Sequence, residues 1–108
     1  MGMDLSKTHS DDAVNVAPHM HEVVFEDDKM RVLRVTVRPD DKAEMHWHPR
    51  NINYVTASGK LRFHKPDGTT ADVELTEGQV TSSGESQHAV ENIGTDTVMT
   101  IQVELKDA

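Results

Sequence analysis

The sequence predicts an all-β domain, either a β-sandwich or a β-barrel. Eight or nine short stretches alternate apolar and polar residues, which is the two-residue period of a strand with one buried face. Turn signals such as Pro66-Asp67-Gly68 and Glu77-Gly78 separate these stretches at regular spacing, and no amphipathic helical stretch competes with them. The 108 residues are enough for one domain with one core.

The strands are predicted from the apolar alternation and from the turns that bound it. In chain order they cover residues 22–26, 29–38, 43–48, 52–57, 60–64, 70–75, 79–82, 87–91 and 97–105. In the second strand Leu33, Val35 and Val37 share one face. Residues 1–20 are polar and are predicted to form a flexible lead-in, which leaves residues 21–108 as the β-domain.

Composition excludes several classes of partner. The formal charge is −8, from 19 acidic and 11 basic residues, so the surface repels nucleic-acid phosphates and anionic lipid. The longest uninterrupted apolar run is Val23-Val24-Phe25, too short to span a bilayer, and no secretory signal is recognised. The chain has no cysteine, which fits a cytoplasmic protein without disulfides or thiolate ligands.

The stretch with the clearest chemistry is His46-Trp47-His48. Residues two apart on a strand point the same way, so both imidazoles can reach one metal ion, while Met45 and Trp47 face the opposite side. With no cysteine, histidines and carboxylates are the only strong ligands for a transition metal, and the chain has seven histidines. A second pair, His19-Met20-His21, is interpreted as part of the flexible lead-in.

The histidine pair belongs to a longer pattern that resembles the two motifs of the cupins. It consists of His46-x-His48, Gly59, Gly78 and then His88-Ala89-Val90-Glu91-Asn92, within residues 30–105. The pattern is most similar to that of small, single-domain bacterial cupins. The resemblance implies a double-stranded β-helix, or jelly roll, with His46, His48 and His88 on a divalent metal inside the barrel. Zn²⁺, Ni²⁺, Fe²⁺ and Mn²⁺ all suit such ligands.

The chain departs from the cupin pattern at two places. The ligand glutamate of the first motif is absent, and its place falls on Ile52 or Asn53. We favour Asn53 as a weak oxygen ligand that points inward, with Tyr54 outward. In the second motif, Ser83-Gly84-Glu85 replaces a Pro-x-Gly turn, which predicts Glu85 at the cavity mouth. Arg50 and Glu85 are the predicted substrate-binding residues.

Three functions compete at this stage. The first is a metal-dependent enzyme acting on a small organic molecule, of dioxygenase, isomerase or lyase type. The second is a binding or sensor protein that holds a small ligand in a degenerate site. The third is a purely structural dimer with an empty cavity. A homodimer is expected in each case, with Met45 and Trp47 on the contact face and His64 solvated.

Overall fold

Two antiparallel β-sheets form the domain in the computed structural model, which describes residues 11–106. Its elements are α1 (Ala13–Val16), β1 (His21–Glu26), β2 (Met30–Val37), β3 (Lys42–His48), β4 (Asn51–Ala57), β5 (Gly59–His64), β6 (Thr70–Leu75), β7 (Val80–Ser83), β8 (Ser86–Asn92) and β9 (Val98–Leu105). Across residues 11–106, no helix is long and apolar enough to cross a membrane. The predicted all-β fold is confirmed, and each predicted strand is present to within a few residues at its ends.

The strand order is that of a jelly roll. One sheet has the order β1-β2-β9-β4-β7, and the other has the order β3-β8-β5-β6. Strands far apart in sequence are therefore neighbours, and β9 lies between β2 and β4. In the second sheet β3 pairs with β8 so that His46 lies directly opposite His88. This pairing brings together two motifs that lie about forty residues apart in the chain.

The interior is apolar in one part and polar in another. Leu33, Val37, Leu61, Val90 and Val98 belong to the buried hydrophobic set. Strand β9 departs from this pattern, because its buried face carries Val98, Thr100, Gln102 and Glu104, whereas Met99, Ile101, Val103 and Leu105 are only partly buried. The polar face of β9 therefore points toward the inside of the barrel.

Residues 11–20, here called the N-terminal segment, pack against the barrel. Asp12 caps α1 by accepting a hydrogen bond from the Val14 amide at 3.0 Å, and Ala13 and Ala17 are fully buried. The Trp47 amide donates to the carbonyl of Asp11 at 2.6 Å. This packing differs from the lead-in that the sequence predicts, because buried alanines and a capped turn fix the segment on β3. Residues 1–10 of the predicted lead-in lie outside the described residues.

Candidate metal centre

Four histidines, here called the histidine cluster, meet between the two sheets. They are His21 at the start of β1, His46 and His48 on β3, and His88 on β8. His21, His46 and His48 are 5%, 0% and 2% exposed, and His88 is half-buried. The ring centroid of His46 lies 4.9 Å from that of His48, 4.8 Å from that of His88 and 5.2 Å from that of His21. The predicted trio therefore converges, and a fourth imidazole joins it.

Hydrogen bonds hold three of these rings in one tautomer. Nδ1 of His46 donates to the Glu44 carbonyl at 2.7 Å, and Nδ1 of His21 donates to the Ala17 carbonyl at 3.0 Å. Nδ1 of His48 donates to a carboxylate oxygen of Glu104 at 2.7 Å. A carbonyl or an ionised carboxylate can only accept, so the proton is on Nδ1 and the Nε2 lone pair is free. This is the arrangement that metal-ligating histidines adopt.

Burial keeps the histidine cluster neutral. It lowers the pKa of His48 to about 3, helped by the neighbouring His46 and by Arg31. It also lowers the pKa values of His21 and His88 to about 3, helped in each case by the nearby His48, and lowers the pKa of His46. A metal binds imidazole only in its neutral form, so the site is prepared for a cation without first losing protons.

The geometry of the cluster fits a metal ion. One ring nitrogen from each of His21, His46 and His48 lies within 4.8 Å of the other two. In a tetrahedral site with Zn–N bonds of about 2.0–2.1 Å, two ligand nitrogens lie roughly 3.4 Å apart, so these nitrogens would approach one another by up to roughly 1.4 Å when an ion binds. Nε2 of His46 is buried and has no hydrogen-bond partner among residues 11–106. A buried polar atom normally has a partner, and a metal ion between these imidazoles would provide one for Nε2 of His46.

Asp12, Arg31 and Glu104 form a row of buried charged side chains that ends at Nδ1 of His48, on the ring edge opposite its free Nε2. Nε of Arg31 donates to Glu104 at 2.9 Å, and Nη2 of Arg31 donates to Asp12 at 2.8 Å. Burial raises the pKa values of Glu104 and Asp12, and Arg31 opposes this rise in both. The two carboxylates and the guanidinium are at most 7% exposed and together carry one net negative charge. The Glu104–His48 hydrogen bond brings this negative charge into direct contact with the histidine cluster.

A cavity of about 700 Å³ opens from the histidine cluster. The volume falls in the usual range for a small-molecule site. Apolar side chains line much of it, including Val35, Leu61, Phe63 and Val73. Beyond the histidines, the chargeable residues among the described ones that line it are Lys65 and Asp67, next to the turn between β5 and β6. The cavity thus combines a nitrogen-rich end with an apolar body.

The structure distinguishes the two positions considered for the missing glutamate. Asn53 lines the cavity, whereas Ile52 points outward and is 40% exposed. The Asn53 amide donates to Oδ1 of Asn51 at 2.9 Å, and Gln102 donates to the same oxygen at 3.1 Å. Asn53 is therefore inward as expected, with Tyr54 outward and 47% exposed. Its amide nitrogen takes part in a hydrogen-bonded row with Asn51.

Several other predicted residues lie away from the cavity. Arg50 and Glu85 are exposed and do not line it. Glu85 accepts a hydrogen bond from the Trp47 indole at 2.7 Å, on the outside of the barrel. Trp47 faces outward as expected but is only 7% exposed, because the N-terminal segment covers it. His64 lies at the surface beside Glu91, at 3.3 Å.

The sequence interpretation missed His21, Arg31, Asp12 and Glu104. His21 carried a signal, since it forms a His-x-His pair at the edge of a predicted strand, but its polar surroundings favoured a lead-in. Glu104 sits in a strand whose polar residues alternate with apolar ones, and that alternation alone does not say which face is buried. The partnership of Arg31 with Glu104 spans 73 positions and carries no local sequence signal.

Solved structures similar to this one include several cupin domains. A cupin domain from Bordetella pertussis Tohama I has a TM-score of 0.75 and 20% identity, over 82% of this chain and 93% of that one. A double-stranded β-helix protein from Klebsiella pneumoniae has a TM-score of 0.63 and 19% identity, over 82% and 84%. A protein from Thermotoga maritima, described as a predicted oxalate decarboxylase, has a TM-score of 0.53 and 25% identity, over 74% of this chain and 69% of that one.

These likenesses establish the fold as the double-stranded β-helix of small cupin domains. No family model and no curated protein sequence matches the chain. The activity must therefore be argued from the site itself.

Proposed function

We propose that this cupin binds a divalent transition metal at its histidine cluster and uses it to act on a small organic molecule. The observation that carries the proposal is the buried, unpartnered Nε2 of His46 beside two more histidines whose Nδ1 atoms are already bonded. Such a set favours Zn²⁺, Ni²⁺, Fe²⁺ or Mn²⁺ over Mg²⁺ and Ca²⁺. His46, His48 and His88 are the ligands that the cupin pattern assigns to the metal.

The cavity indicates the kind of molecule that would be bound. Its apolar lining suits a compact apolar body, and the histidine end suits an oxygen-bearing group. When bound, the metal would supply Lewis acidity and lower the pKa of a coordinated water. Asn53, Gln102 and the nearby Thr100 offer hydrogen bonds along the cavity wall that can orient the polar end of the molecule.

A non-catalytic binding or sensor protein is the second candidate. It is favoured by one observation, which is that the described residues lining the cavity include no glutamate, and their one aspartate is Asp67 near the β5–β6 turn. Among the described residues, the one carboxylate that contacts the histidine cluster, Glu104, lies behind His48 and does not line the cavity, so it is not placed as a general acid or base for a molecule bound there. Turnover would then depend on the metal, whereas simple binding would not.

Metal analysis of protein purified without added metal tests the proposal, with the His46→Ala variant as control. We expect about one first-row metal ion per chain, or full loading after addition of one, and loss of both in the variant. Wild-type protein that neither contains nor takes up a metal would refute the proposal. Thermal-shift screening of the loaded protein with small acids and sugars then identifies a stabilising ligand. Recovery of that ligand unchanged favours the binding protein, and its conversion favours the enzyme.

A further inference from the structure

We propose that His21 supplies a fourth imidazole ligand to the metal, taking the part of the carboxylate that the chain lacks. This inference rests on the proposed function, since it concerns the same ion. It assigns the cluster a four-nitrogen ligand set drawn from β1, β3 and β8. It also makes the start of β1, which the N-terminal segment holds in place, a part of the metal site.

Position and orientation both support His21 as a ligand. One ring nitrogen of His21 lies within 4.8 Å of a ring nitrogen of His46 and of one of His48. The motif histidine His88 is not part of this set of three. Nδ1 of His21 is bonded to the Ala17 carbonyl, so its other nitrogen is the free one. His88 has no such support, because residues 11–106 form no hydrogen bond to its ring. His21 is thus better oriented than one of the expected ligands.

A packing role alone does not explain His21. It is 5% exposed, yet residues 11–106 provide no hydrogen bond to its Nε2, and its nearest rings are the imidazoles of His46 and His48. Because His21 lines the cavity, its Nε2 is available to a ligand there rather than to an acceptor or donor of the protein. A metal cation bound between these neutral imidazoles would give their lone pairs a common partner.

The charge balance also supports four neutral ligands. A ligand carboxylate would have offset part of the metal charge directly. Here the one net negative charge of Asp12, Arg31 and Glu104 reaches the site through Nδ1 of His48. Carboxylate–histidine–metal arrangements of this type make the imidazole a stronger donor. The Glu104 carboxylate therefore acts on the metal through the ring of His48 instead of binding the metal directly, which leaves a ligand position for His21.

The decisive measurement is Zn²⁺ affinity by competition with a chromophoric chelator, for His21→Ala and for His19→Ala. The two residues form one His-x-His pair, but the side chain of His19 is 50% exposed and, within residues 11–106, its Nε2 contacts Asp41 and the Lys42 carbonyl at the surface, so it is a matched control. We expect His21→Ala to weaken Zn²⁺ binding by about tenfold or more and His19→Ala to leave it unchanged. A loss smaller than about tenfold in His21→Ala overturns the inference.

X-ray absorption of the zinc-loaded full chain separates ligation from indirect support. Wild-type protein should show four imidazoles around zinc and His21→Ala three, whereas a merely supporting His21 leaves the count unchanged and overturns the inference. If His21→Ala does not fold, His21→Gln is measured in its place, and the wild-type count of four or three imidazoles decides by itself. The proposed function fails separately, when wild-type binds Zn²⁺ no better than His46→Ala.

Discussion

Replacing Glu104 by glutamine tests how the buried charges control the metal ligands. The carboxylate now accepts from His48 on one oxygen and from Arg31 on the other. Glutamine has only one oxygen for these two donors. Because Arg31 always donates, we expect the amide oxygen to turn toward Arg31 and the amide NH₂ to face Nδ1 of His48.

That exchange would reverse the His48 tautomer. Nδ1 must then accept the amide hydrogen bond, so the proton moves to Nε2, where it blocks metal binding. We expect metal affinity to fall by about 10–100-fold, equivalent to about 1.4–2.8 kcal/mol. Breaking a buried ion pair costs about 3–5 kcal/mol. The loss of unfolding free energy should be smaller, about 1–3 kcal/mol, because Arg31 keeps Asp12 as its partner.

The assay combines urea denaturation of metal-free protein with Zn²⁺ titration of the folded protein. Glu74→Gln is the matched control, since Glu74 is 73% exposed and its ion pair with Lys60, at 3.9 Å, is long and lies at the surface. The control should change neither quantity measurably. Zn²⁺ affinity of the Glu104→Gln protein within threefold of wild-type would refute the tautomer argument, whatever its effect on stability.

Three further predictions concern pH, the N-terminal segment and assembly. Because His21, His48 and His88 have folded pKa values of about 3 against 6.5 for free histidine, the unfolded chain binds more protons below pH 6.5. Below pH 6.5 the unfolding free energy of the metal-free protein should then fall on acidification by about 1.4 kcal/mol per pH unit for each of these histidines. The raised pKa values of Asp12 and Glu104 offset part of this fall. Urea midpoints that are equal at about pH 7.5 and about pH 5.5 would contradict the prediction. Asp12→Ala should cost about 1–3 kcal/mol, because Arg31 keeps Glu104 as its partner. It should also shift the emission of Trp47, the chain's one tryptophan, to the red, and an unchanged spectrum of the folded variant would count against a docked segment. The sequence predicts a homodimer contact through Met45 and Trp47, but Trp47 is covered and 7% exposed, whereas Tyr54 is 47% exposed. If a homodimer forms through the exposed face around Tyr54, then Tyr54→Glu should give a monomer mass by light scattering, and a retained dimer would place the contact elsewhere.

Local signals in the sequence were enough to predict the nine strands. Alternation and turn residues act over a few positions, so the bounds of β2, β6 and β9 agree with the prediction to within a residue or two. The inward direction of His46 and His48 follows from the same two-residue period. The short helix α1 escaped prediction, because four residues show no helical periodicity and its capping Asp12 sits among other polar residues.

The inner face of β9 could not be read from its sequence. By hydrophobicity alone, Met99, Ile101 and Val103 would be placed inside, whereas the structure buries Gln102 and Glu104 instead. The reversal is possible because Arg31, on the neighbouring β2, pairs with Glu104 and satisfies a carboxylate that would otherwise be costly to bury. Only the pairing of β2 with β9 provides this partner.

The sequence by itself therefore determined the fold class and three of the four histidines that meet in the barrel. These depend on local periodicity and on two recognisable motifs. The tertiary structure alone decided that His21 joins them and that Glu104 orients His48, because both contacts link segments distant in the chain. Side chains so far apart in sequence are brought together only by strand order and by burial, which no short pattern of residues encodes.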